Sequence, residues 1–162
     1  MPNWPSRLSA IVLLTAGIGA CDTPNPAATV PPPPEGFRYS SATPDCAPWD
    51  GPAIALHLAN TPGSDSAGIA ETTRPLLRVV IYPRGQGVAG KTYRWPSDPE
   101  VAAGYRCLTG ESCEAAASGE VMLLPAPGDT VFEGSLRLHF QDGTTISGGF
   151  HATWHDRRMM CG

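Results

Sequence analysis

The sequence predicts an all-β fold: a single antiparallel β-sandwich or small barrel, disulfide-stapled, of about six to seven strands. Three observations carry this. Apolar and polar residues alternate over several short stretches, which is the period of a half-buried strand. Glycine and proline each occur 18 times in 162 residues, supplying many turns and leaving little room for long helices. Four cysteines lie in the second part of the chain, Cys46, Cys107, Cys113 and Cys161, an even number suited to two crosslinks.

Taken in order, Phe37 to Trp49 shows no alternation and reads as an irregular entry segment, with a turn at Cys46-Ala47-Pro48-Trp49-Asp50-Gly51-Pro52. Ala53 to Ala59 alternates, with Ile54, Leu56 and Leu58 on one face. Asn60 to Thr73 is polar and rich in Gly and Ser, hence a surface loop. Leu76 to Tyr82 is almost continuously apolar, which suggests a central strand covered on both faces. Lys91 to Trp95 is a short strand, and Val101 to Cys107 leads into a small loop. Glu114 to Ser118 holds an alanine triplet compatible with a helical turn. Gly119 to Leu124 is a further strand.

The last third carries the strongest pattern. Phe132, Leu136, Leu138 and Phe140 share one face of Val131 to Gln141. Ile146, Phe150, Ala152 and Trp154 share one face of Thr144 to Trp154. These faces must coincide across the hairpin, and a one-residue slip would turn every side chain over. A two-residue Asp142-Gly143 loop sets Leu138 against Ser147 and buries the wrong side. A three-residue loop, Gln141-Asp142-Gly143, sets Leu138 against Ile146 and Phe150 over Gly134, with Gly143 left-handed at a bulge.

Of the three cysteine pairings open, the favoured one joins Cys107 to Cys113 and Cys46 to Cys161. The second bond would tie the two ends of the domain together. A zinc site is the rival, but no C-x-x-C pair occurs, so no metal site is expected.

At the amino terminus, Arg7 precedes an apolar run from Leu8 to Ile18, followed by Gly19, Ala20 and Cys21. The run is about half the roughly 20 residues a spanning helix needs. A positive start, a short apolar middle and small residues at a cut site make a secretory signal. Ile18-Gly19-Ala20-Cys21 resembles the lipobox of a bacterial lipoprotein. The resemblance implies cleavage before Cys21, whose thiol would carry a diacylglycerol and whose amino group an acyl chain. Two or more chains hold a membrane stably, whereas one does so marginally. The alternative is an ordinary secreted protein in which Cys21 is incidental, and the spacing behind the apolar run favours the lipobox.

On this reading residues 1–20 are a lipoprotein signal peptide, and 21–35 are the lipidated Cys21 plus a Pro-rich tether of extended polyproline geometry. Residues 36–162 are the β domain. The expected place is the bacterial cell envelope, with the domain on the extracytoplasmic side. Residues 46–162 loosely resemble small β domains of bacterial lipoproteins, a likeness that implies a place and no particular reaction.

Chemistry is harder to find. Loss of Arg7 with the signal makes the chain one unit more negative than its overall −4, and basic clusters are limited to Arg157-Arg158. Nucleic acid is therefore not an expected partner. No cofactor motif stands out: Gly85-Gln86-Gly87 to Gly90 lacks a strand–loop–helix frame and a Gly-Lys-Ser/Thr. His151 and His155 are four apart, which on a strand separates them by about 13 Å and prevents chelation of one ion. Trp49, Trp95 and Trp154 are the candidate binding aromatics, for a protein or a glycan. Two functions follow. The first is a non-enzymatic module for binding or structure, anchored to membrane lipid through Cys21. The second is an envelope hydrolase built from His57, His151 or His155 with an acid such as Asp156. A pocket that brings a histidine onto a carboxylate and a Ser or Cys separates the two.

Overall fold

A computed structural model describes residues 29–64, 67–83, 87–98, 101–125 and 130–161. The expected signal segment, residues 1–20, and Cys21 lie outside the described residues. Among those described there are nine strands and no helix, hence no helix long and apolar enough to cross a membrane. The strands are β1 (Tyr39–Cys46), β2 (Pro52–Ala59), β3 (Leu76–Ile81), β4 (Thr92–Trp95), β5 (Ala102–Cys107), β6 (Glu114–Ala115), β7 (Ser118–Leu123), β8 (Val131–His139) and β9 (Thr145–Trp154).

All nine belong to one sheet in the order β4-β7-β8-β9-β1-β2-β3-β5-β6. The expected sandwich or closed barrel of fewer strands is thus corrected to a single curled, open sheet. The two edge strands explain why it stays open. β4 has four residues and β6 has two, too few to form a closing ladder. A side chain spans the gap instead. Trp95 on β4 lies against Gly119 on neighbouring β7 and against Gly104 on β5, near the opposite end of the sheet order. A methyl group added at Gly104 would come within 2.8 Å of the indole, so only glycine leaves it room.

The concave side holds the main core. Leu56 and Leu58 of β2, Leu77, Val79 and Ile81 of β3, Val121 of β7, Leu136 and Leu138 of β8, and Phe150 of β9 meet there. Arg106 closes one end of the curl. Its guanidinium lies 4.2 Å from the centre of the Phe140 ring and bonds Glu114 (2.7 Å) and Asp142 (2.6 Å), joining the β5–β6 edge to the β8–β9 hairpin. That bond, reinforced by the Thr144 N–H, holds the Asp142 carboxyl down at about 2.

The hairpin register is the one the alternating faces require. Leu138 faces Ile146 and Gly134 faces Phe150, around the loop 141–143. Gly143 N donates to Phe140 O (3.1 Å), Phe140 N to Thr144 O (2.9 Å), and Gly143 takes φ +85°. β3 is covered on both sides, as its apolar run requires: Leu77 and Val79 face the main core, while Leu76 and Val80 join two smaller clusters.

Two strands depart from expectation. The segment with the alanine triplet is extended: Glu114–Ala115 pairs with β5, and no helical turn forms. More importantly, the entry segment is β1, a strand in the interior of the sheet. Its sequence, Tyr-Ser-Ser-Ala-Thr-Pro-Asp-Cys, has no apolar alternation. It pairs with β2 over its whole length and with β9, in parallel, only at Ser41↔Thr153 and Ala42↔Trp154. Pro44, which cannot donate to a ladder, lies beyond those two pairs, where β9 is no longer alongside.

The outer side of β1 to β3 carries a second layer. Loop 60–75 and the segment after β9 lie over it, and His57 is fully buried beneath them. Cys161 is bonded to Cys46 at the end of β1, and Cys107 to Cys113 beside β6. The two crosslinks close loops of very different size, 115 and 6 residues of sequence separation. In the chain-entropy account the long loop is worth about 4–5 kcal/mol and the short one about 2 kcal/mol. Urea unfolding of the Cys46→Ser/Cys161→Ser double variant is therefore expected to show about twice the stability loss of Cys107→Ser/Cys113→Ser. Equal losses would contradict the role given to the end-to-end bond.

Candidate functional site

The short parallel pairing of β1 with β9 has a structural consequence. Along this edge β9 and the residue after it offer their backbone N–H groups to three acceptors, two carbonyls and one hydroxyl. His155 N donates to Ala42 O (2.8 Å), His151 N to the Ser40 side chain (3.2 Å), and Gly149 N to Pro32 O (2.7 Å). The two strands therefore diverge below residue 151, and the chain before β1 returns to fill the edge. Residues 30–34, expected as part of the tether, are packed along β9 and belong to the folded domain. Gly148 and Gly149 make this possible, because a Cβ on either would overlap the backbone of Pro31 to Pro34.

A cleft of about 570 Å³ occupies the splayed seam. That volume lies within the usual range of small-molecule sites. Val30, Pro31 and Pro33 form one wall. Pro62, Gly63 and Ser64 form the facing one, with Phe37, Leu58, Ile69 and Phe150 as the apolar floor. Tyr39, Ser41 and Thr153 line it from the two strands, and Arg38, His151 and His155 are its basic groups. Among the described residues no Asp or Glu lines it.

The loop wall is tied down. Ser64 and Gly68 exchange backbone bonds (3.1 and 2.9 Å), the Ser64 hydroxyl accepts from Ala67 N (3.1 Å), and the Ser41 hydroxyl accepts from Ile69 N (3.0 Å). Gly68, at φ +67°, sits so close to Ser41 and His155 that a side chain there would strike both. Arg157 donates to Ala67 O from the segment after β9.

Beside the cleft, His151 Nδ1 lies 2.6 Å from Glu133 Oε1, a cross-strand pair between β9 and β8. The bond orients the ring and leaves Nε2 as its other polar atom. The Ser40 hydroxyl accepts the backbone N–H of the same histidine. Asp156 is not the acid bonded to a cleft histidine; Glu133 is.

The candidate tryptophans lie apart from one another. Trp95 is buried in the core. Trp154 is half-buried, tilted on Phe132 at 5.6 Å. Trp49 is exposed on the β1–β2 turn, edge-on to Tyr82 at 5.4 Å. None lines the cleft, whose aromatic groups are Phe37, Tyr39 and Phe150. The Gly148-Gly149 pair was the available signal, since glycine inside a strand marks close backbone approach. Tyr39, Ser41 and Arg38 carried no pattern that could have singled them out. Among the described residues no cluster of three or more His, Cys, Asp or Glu could hold a metal.

His57, a candidate base, is one strand away from the cleft and sealed off from it. It faces Ser41 on β1 and Arg78 on β3, and among the described residues neither ring nitrogen has a hydrogen-bond partner. Burial lowers its pKa to about 4, helped by Arg78 and by Arg157 of the covering segment and opposed by Asp45 on β1. Arg78 and Asp45 form an ion pair with each other.

Compared with known proteins, the chain matches no family model, no curated protein and no solved structure.

Two tests follow from this geometry. Gly149→Ala is expected to expel residues 30–34 from β9, which hydrogen exchange and limited proteolysis at that segment would register, with a loss of about 1–3 kcal/mol. Unchanged protection would show that the segment is not wedged there. His57 takes up a proton near 6.5 when unfolded but only near 4 when folded. Folding stability therefore declines as pH falls from about 6.5 through about 4, by about 3 kcal/mol in total, and this group adds no further slope below that. His57→Leu is expected to flatten that part of the urea-unfolding profile; an unchanged slope would count against a neutral buried ring.

Proposed function

We propose that the chain is a lipid-anchored protein of a bacterial envelope and that its β domain is a non-enzymatic binding module working through the cleft at the β1–β9 seam. The observation that carries this is a continuity. One wall of the cleft is Val30 to Pro33, and the same stretch of chain leads back to the lipobox cysteine, Cys21. Whatever path the intervening residues take, they span at most roughly 30 Å. A ligand site tied this closely to an anchor suits capture at a membrane surface.

The lining supports binding rather than turnover. It combines an apolar floor with a few convergent polar groups, the composition typical of small-molecule sites. The pair His151–Glu133 supports a second reading, an envelope hydrolase using the ring as a base. Hydrolysis of p-nitrophenyl esters that vanished in both His151→Ala and Glu133→Gln would establish that reading in place of the first.

The anchor and the module are tested separately. Mass spectrometry of the mature protein is expected to find an amino-terminal Cys21 bearing acyl chains, and globomycin to accumulate uncleaved precursor. A product beginning elsewhere would remove the anchor. In an NMR fragment screen on the mature chain, binders are expected to shift Tyr39, Ser41, His151 and Thr153, and to lose affinity in Thr153→Trp. No shift from any fragment would remove the module.

A further inference from the structure

We propose that the cleft takes a single-chain amphiphile with an acidic headgroup, of the fatty-acid or lysophospholipid class; the proposal rests on the binding-module reading above. The first support is charge. The chain as a whole is acidic, at −4, yet among the described residues the Arg, Lys, His, Asp and Glu side chains lining this cleft are Arg38, His151 and His155, of which His151 is paired with Glu133 just outside the lining. Arg38 and His155 leave N–H donors that a carboxylate or phosphate would accept from more strongly than a neutral hydroxyl.

The second support is shape. The floor is Phe37, Leu58, Ile69 and Phe150, and Leu58 and Phe150 are at the same time members of the main core or its rim. All four are nearly fully buried, so the apolar surface the cleft offers a ligand is that of Val30, Pro31, Pro33, Tyr39 and Pro62 along its sides. An alkyl chain laid against these would remove apolar surface from water, worth about 25 cal/mol per Å². Arg38 directly precedes β1, His151 stands on β9 and His155 directly follows it, so a headgroup meets donors from both sides of the seam.

The third support is position. The wall residue Val30 is nine residues from Cys21, close enough for the mouth to work at a bilayer surface, where such amphiphiles are concentrated. Docking of residues 30–34 on Gly148–Gly149 shortens the reach of the anchor and completes the wall at once.

The experiment uses the lipidated mature chain in phosphatidylcholine nanodiscs and three photoactivatable probes. These are a diazirine palmitate, a diazirine lysophosphatidylglycerol and a neutral diazirine monoacylglycerol, with labelled peptides mapped by mass spectrometry. Labelling by either acidic probe is expected at residues 30–41 and 58–69, and which of the two labels identifies the source. Arg38→Glu is expected to cut acidic-probe labelling about tenfold while sparing the weaker neutral signal. Thr153→Trp, at an exposed lining position, is expected to abolish both, with circular dichroism confirming the fold. Labelling scattered outside the cleft, or equal labelling by the neutral probe that ignores Arg38→Glu, overturns the proposal. If the NMR fragments still bind at the seam in that event, the module reading survives without this ligand class; if they do not, both fall.

Discussion

The first and last strands of the sheet are neighbours, and the rest of the structure depends on how they are joined. Seven of the eight strand contacts are antiparallel, and the meander β1-β2-β3-β5-β6 is built separately from the group β4-β7-β8-β9. Within the hydrogen-bonded ladder of the described strands, the parallel contact between β1 and β9 unites them, through two residue pairs. Parallel pairing is slightly weaker per residue than antiparallel, and such a short run would be a weak hinge alone. Three further ties flank it: the Cys46–Cys161 bond, the loop 60–70 fastened to Ser41, and Arg157 reaching Ala67. The seam is thus reinforced from outside instead of by a longer ladder.

That arrangement accounts for the shape of the cleft. A full ladder between β1 and β9 would close the seam and bury its floor. The ladder ends early because Ser40 accepts the His151 N–H with its side chain, which needs more separation than a backbone carbonyl would. The proline segment then satisfies Gly149 further along. Proline suits this task, since a polyproline strand offers carbonyls without needing donors in return. The space left between β1, the loop and the proline segment is the site.

On the concave side the same economy of strand length operates. The sheet curls until Trp95 at one edge reaches Gly104 near the other, and the indole fills what a ladder would otherwise close. Its ring N–H is buried without a hydrogen-bond partner among the described residues, as is the hydroxyl of Tyr93 on the same strand. Both lie in the core, where bulk contributes more than their polar atoms cost. Arg106 secures the other end by combining two carboxylates with the Phe140 face.

Read alone, the sequence determined which residues face inward on β2, β8 and β9, because the side-chain period of two is local and survives in the letters. It determined the odd length of the 141–143 loop, because only an odd loop brings Leu138 and Ile146 to one side. It also showed an even set of cysteines suited to crosslinks. Partner choice was decided only by the tertiary structure. Alternation says which face a strand buries and is silent on which strand lies beside it. β1 was illegible for that reason: Ser41 is buried because β2 and β9 flank it and Ile69 N bonds it, not because it is apolar. The cleft inherits the same limit, since Val30, Tyr39, Ile69 and His151 come from four separate segments and meet only where two parallel strands part.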